Sequence, residues 1–204
     1  MDSRINTSLK NVIDEIAAKN SGQTVEEFRN SNIRHATLLQ KAEQIRGTHP
    51  SKWPKLIFNW DLTFDGRIYS FDPPVFLPNE IDNYTARKKW KEGLMEFELG
   101  SVSLEEMDTY LCNYSRRDGL KELWEVGNSS KLSYVVAYIS EGLPISPPVI
   151  KPTSNDEIIL IGGHHRYAAA KVMGEKRIPI YCNSANLKRI DILLNVDWVN
   201  KCEL

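Results

Sequence analysis

Apolar residues recur every three or four positions near the start of the chain. Leu9, Val12, Ile13, Ile16 and Ala17 would line one stripe of a helix. A second helix is announced by Thr24 with Glu27 three residues on, the spacing of a capping box, and its pattern closes at Gly47. Residues 1–50 are therefore expected to form a helical extension that docks against the core or a partner. The period changes after Pro54. LIFNW and LTFDGRIYSF read as strands, the second folded around Asp65-Gly66, a two-residue hairpin signal. Pro73, Pro74 and Pro78 end that region. Helical spacing returns with Trp90, Leu94 and Phe97, and Ser103-x-x-Glu106 opens a stripe of Leu104, Met107, Leu111 and Tyr114. Leu120, Leu123 and Trp124 make a short further piece, so residues at about 82–127 are expected to be a helical insert.

The C-terminal third is the most regular. Leu132, Val135, Val136 and Ile139 mark a helix, with Gly142 where a left-handed cap belongs. An extended run through PISPPVI, a turn at TSND and a strand EIILI follow. Then come the turn GGHHR, a helix RYAAAKVM ending at Gly174, a strand RIPIYC and a last helix around Leu187, Ile190 and Leu194. The order predicts an α+β fold: a small mixed β-sheet with packed helices, an N-terminal helical extension and a helical insert, residues 51–204 forming the main domain.

Composition narrows the function classes. The 204 residues carry 26 Lys and Arg against 27 Asp and Glu, a net charge of −1 that supplies no global positive face for nucleic acid. Cys112, Cys182 and Cys202 are odd in number and far apart, which argues against a disulfide framework or a structural metal. The N-terminus has no continuous apolar core of a signal peptide, and no run reaches the length of a membrane span. The expectation is a soluble, cytoplasmic protein with no membrane partner.

The segment LIGGHHRYAAAKVMG, Leu160 to Gly174, carries the chemistry. A strand feeding straight into a helix turns outward the orphan N–H groups of the helix N-terminus, which together with the helix dipole attract anions. Gly162 and Gly163 let a ligand approach the backbone. His164 and His165 add ring nitrogens, and Arg166 can grip a phosphate with two parallel bonds. Ala168, Ala169 and Ala170 let the helix lie close to the sheet. Adjacent histidines on a helix splay about 100° apart, and no third ligand is spaced to join them, so no metal site is expected here.

The stretches LSYVVAYISEG, LPISPPVI, EIILIGGHHRYAAAKVMG and RIPIYC, in that order over residues 131–182, resemble the core of the ParB/sulfiredoxin superfamily. The resemblance implies that the corner holds nucleotide phosphates. Sulfiredoxins place a nucleophilic cysteine where this chain has His164, and imidazole cannot replace its sulfur chemistry. ParB proteins bind CTP and continue into a helix-turn-helix domain, for which the roughly twenty residues after Cys182 are too few. The turn is closest to the D-G-H-H-R of the superfamily's free serine kinases, with Gly162 in place of the leading Asp. Those kinases also carry a glutamate base, and Glu80 in Leu77-Pro78-Asn79-Glu80 is its counterpart by position.

The leading expectation is thus a nucleotide-binding protein that hydrolyses or transfers a phosphate of ATP or CTP, with Mg²⁺ bridging the phosphate oxygens. Gly162, Gly163, His164, His165 and Arg166 would cradle the phosphates, with Glu80 and His164 as catalytic candidates. The alternative is a ParB-like DNA-binding, regulatory or nuclease module. It would use the basic run around Arg87, Lys88 and Lys89, which on a helix also reads as a solvated face.

Overall fold

The protein is described here from a computed structural model covering residues 3–62, 97–125 and 128–199. The expected hairpin at Asp65-Gly66, the prolines Pro73 to Pro78, the helical pattern at Trp90 and Leu94, and Cys202 lie outside the described residues.

Two helices open the chain, α1 (Ser3–Ser21) and α2 (Val25–Ile45). Thr24 caps α2 in a complete box: its hydroxyl accepts from the Glu27 N–H, and the Glu27 carboxylate accepts from the Thr24 N–H at 2.8 Å. The stripe of α1 is helical but faces outward. Val12, Ile13 and Ile16 are exposed, while Asp14 and Ala18 are buried. Arg29 of α2 holds Asp14 at 2.7 Å and Asn11 at 2.7 Å, so a polar clamp and a small residue set the contact between the two helices.

Five strands form one mixed sheet: β1 (Phe97–Ser103), β2 (Val149–Pro152), β3 (Ile158–Gly162), β4 (Arg177–Asn183) and β5 (Asp197–Trp198), in the order β3-β2-β4-β1-β5. β2 runs parallel to β4, and the other pairs are antiparallel. Helices α3 (Leu104–Tyr110), α4 (Leu120–Glu125), α5 (Ser129–Ser140), α6 (His164–Val172) and α7 (Leu187–Leu193) complete the described elements. The result is an α+β fold, as the element order predicts.

The helical reading of 82–127 needs correction over its described part. Phe97 begins β1 rather than closing a helical stripe, and all seven residues of β1 pair with β4, from Phe97 opposite Asn183 to Ser103 opposite Arg177. Gly100 shows why the strand is tolerated there: a Cβ would lie 2.4 Å from Val196 Cγ1 and 2.7 Å from Trp198, where β5 crosses. Helical structure resumes at Ser103, whose hydroxyl caps α3 by accepting from the Glu106 N–H. LIFNW contributes one bridge, Trp60 with Ile145, rather than a strand.

Two apolar clusters flank α6. One joins Val102, Met107, Leu111, Ile150, Ile158 and Tyr167 under the sheet. The other joins Leu38, Ala42 and Ile45 of α2 to Leu132, Val135 and Ile139 of α5, with Ala168 and Ala169 of α6. The first fifty residues therefore share a core with the domain through α2. Lys41 of α2 also pairs with Glu141 beside the C-terminus of α5.

Candidate functional site: the β3–α6 corner

β3 ends the order of the described strands, and its last residue, Gly162, sits opposite Val149 of β2. The left-handed step is made at Gly163 alone, with φ of 88°. A Cβ there would lie 2.8 Å from the Pro148 Cα and 2.8 Å from Arg166 Nη2. Gly163 is required twice over, by its dihedral and by the backbone pressed against it. It is the N-cap of α6, and no side chain among the described residues caps it. The first-turn amides of α6 thus keep the orphan donors of a helix start, with the positive end of the dipole behind them.

Arg166 lies behind this turn. It is 1% exposed, with the guanidinium packed against Gly163. Burial pulls its pKa down to about 9, still above neutral pH, so the charge is retained. Its charge therefore lies directly against the turn.

His164 and His165 open α6, both partly buried. Burial, followed by the Arg117 and Arg166 guanidinium groups, drives His164 down to about 4. His165 is held at about 4 by burial and by His164, Arg117, Lys131 and Arg166. Both rings are neutral at pH 7. The Tyr114 ring meets His164 edge-on with centroids 5.7 Å apart, and His164 Nε2 is buried without a hydrogen-bond partner among the described residues.

Arg117 and Tyr114 arrive on a loop that runs beside β3. Leu111 bridges Ile158, the Cys112 N–H donates to the Ile158 carbonyl at 2.9 Å, and the Leu160 N–H donates to Ser115 Oγ at 2.9 Å. The Arg117 guanidinium then donates back to the carbonyls of Tyr114 and Arg116. Lys131 lies in the first turn of α5, which Asn128 caps by accepting from the Lys131 N–H at 3.1 Å. From there the Lys131 charge acts on His165.

The carboxylates on this flank are engaged further along α6. Lys171 holds Asp108 at 2.8 Å and Asp118 at 3.0 Å, and the Tyr167 hydroxyl also donates to Asp108. Burial first, then that bond to Asp108, push the Tyr167 phenol well above its usual range.

The sequence-expected residues Gly162, Gly163, His164, His165 and Arg166 are thus brought together, with the left-handed turn at Gly163. Glu80, Arg87, Lys88 and Lys89 lie outside the described residues. Sequence reading missed Tyr114, Arg117 and Lys131. The Arg116-Arg117 pair in CNYSRRDG was the available signal, but nothing local tells that its loop follows β3.

The other histidines serve structure. His35 Nδ1 lies 2.8 Å from the Tyr134 hydroxyl, and His49 caps a short 3-10 turn. Tyr181 is a core residue whose hydroxyl donates to the Leu62 carbonyl.

Among the described residues no group of three or more His, Cys, Asp or Glu is placed to hold a metal ion. Nor is any described helix long and apolar enough to cross a membrane. Comparison with family models, with characterised proteins and with solved structures finds no match to this chain.

Proposed function

We propose that the β3–α6 corner binds the phosphates of a nucleoside triphosphate, ATP or CTP with Mg²⁺, in a ParB/sulfiredoxin-like domain that hydrolyses or transfers a phosphoryl group. The observation that carries the reading is charge. Among the described residues, the charged side chains that act on His164 and His165 are cationic: Arg117, Lys131 and Arg166. They act at a helix start that no side chain among the described residues caps, and Gly163 adds no Cβ there. Such a site repels cations and rewards a polyanion, because fixed donors and dipoles need no reorganisation when charge arrives.

The roles follow from position. The first-turn amides of α6 would hold one phosphate. Arg117 and Lys131, approaching from other elements, would meet a second, which favours a di- or triphosphate over a carboxylate. The corner's donors are nitrogens, a poor set for Mg²⁺, which prefers oxygen. The ion would supply charge neutralisation while riding on the phosphate oxygens. Neutral His164, with Nε2 unengaged, can give or take a proton at a phosphate oxygen or at an acceptor hydroxyl. Glu80 is the residue proposed to act as base.

The test is thermal unfolding with ATP, CTP and GTP, each with Mg²⁺. A ligand at about a hundred times its Kd stabilises by about 2.7 kcal/mol. For a chain of this size that raises Tm by roughly 5–10 °C. Arg117→Ala should remove most of the shift. If no nucleotide moves Tm, the proposal fails.

A further inference from the structure

Ser146 is more than nine-tenths buried at 8% exposure, and its hydroxyl oxygen has no hydrogen-bond partner among the described residues. An unmet buried hydroxyl is unfavourable and uncommon in folded proteins, so one that persists calls for an explanation. This one is also held rigidly. On one side, Ile145 exchanges hydrogen bonds with the 59–61 segment: its N–H donates to the Asn59 carbonyl at 2.9 Å, and its carbonyl accepts from the Asp61 N–H at 2.8 Å. On the other side, the Pro148 carbonyl accepts from the Tyr181 N–H at 2.8 Å. Pro147 restricts Ser146 to extended conformations and, like Pro148, has no N–H that could bond elsewhere.

The position of this residue is set by register. Val149 faces Gly162, and the Pro148 Cα abuts Gly163. Because β2 and β3 are antiparallel, the chain preceding Pro148 continues past the end of β3, toward the first turn of α6. Ser146 is two residues before Pro148 on this extended run. A preset hydroxyl without a partner among the described residues thus lies on the segment that reaches a helix start no described side chain caps, where His164 Nε2 is similarly unengaged.

We infer that Ser146 is a ligand-binding residue of the β3–α6 corner, its hydroxyl donating to an oxygen of the phosphate held by the first-turn amides. The inference rests on the proposed phosphate-binding reading and adds a contact from a different element. It makes an unusual demand: removing the hydroxyl should weaken binding without weakening the fold, because the free protein gains nothing from it. A serine with a structural role behaves in the opposite way. Ser133, fully buried with its hydroxyl donating to the Ser130 carbonyl at 3.1 Å, is the built-in comparison.

The experiment titrates the full chain and its Ser146→Ala and Ser133→Ala variants with Mg·ATP, Mg·CTP and inorganic pyrophosphate by calorimetry, and measures Tm without ligand. Ser146→Ala should bind about tenfold more weakly than the parent, the worth of one hydrogen bond to a charged group. Its ligand-free Tm should equal or exceed the parent's, while Ser133→Ala should melt lower. Unchanged affinity in Ser146→Ala, or a Tm lowered as in Ser133→Ala, overturns the inference and leaves phosphate binding standing. Failure of the parent chain to bind any of the three probes overturns both.

Discussion

Replacing Gly163 with alanine tests the geometry of the corner most directly. The residue sits at φ of 88°, a region that costs an L-residue about 1–2 kcal/mol. The added methyl would also meet the Pro148 Cα at 2.8 Å, and backbone cannot swing aside as a side chain can. Forcing a methyl into packed surroundings typically adds about 1–3 kcal/mol. The sum is about 2–5 kcal/mol, which for a chain of this size lowers Tm by roughly 4–20 °C. Gly174 provides the control. It too is left-handed, at φ of 76°, but a Cβ there has nothing within 4 Å. Gly174→Ala should therefore show the dihedral cost alone, about 1–2 kcal/mol. Urea unfolding followed by circular dichroism measures both variants on one scale, and their difference isolates the close approach of Pro148 to the turn. Equal losses would refute the packing of β2 against the corner, and with it the positioning of Ser146.

Two further outcomes are expected. Asn128→Ala removes the side chain that caps α5 beside Lys131, and should cost about 1 kcal/mol in urea unfolding, with helix content otherwise kept. Stability should also fall as pH drops from about 6.5 toward about 4. In that window the unfolded chain protonates His164 and His165 while the folded chain, holding both near 4, does not. The loss is on the order of 2 kcal/mol per histidine by pH 4.5, and a His164→Gln, His165→Gln double variant should show a flatter profile over the same range.

Legibility from the sequence followed how local each signal was. The capping box at Thr24, the left-handed cap at Gly142, and the strand–turn–helix run from Ile158 to Val172 depend on neighbours within a few residues, and all are present. Phe97 was misread because Trp90, Leu94 and Phe97 happen to have helical spacing. Pairing with β4, some eighty residues away, outweighs that pattern. The outward turn of Val12, Ile13 and Ile16 is another non-local result, set by Arg29 gripping Asp14. At the site, the glycines and histidines were visible as a motif. The burial of Arg166 and the approach of the Arg117 and Lys131 charges depend on other segments, and no spacing within the motif records them.

On the proposed reading, the corner is a place where folding accepts costs in return for binding. Arg166 is buried, burial and nearby cationic side chains keep two histidines from ionising, and Ser146 and His164 each bury a polar atom with no partner among the described residues. Each feature disfavours the ligand-free fold, and an anion would offset all of them at once. It would neutralise the repulsion, raise the pKa of both imidazoles and accept the waiting donors. Binding should then draw protons onto His164 and His165, so anion affinity should strengthen as pH falls toward 6, while ligand-free stability begins to weaken. These opposite slopes arise from the same two imidazoles. A purely structural cluster would give only the second slope, so the pair of measurements separates a binding site from a strained turn.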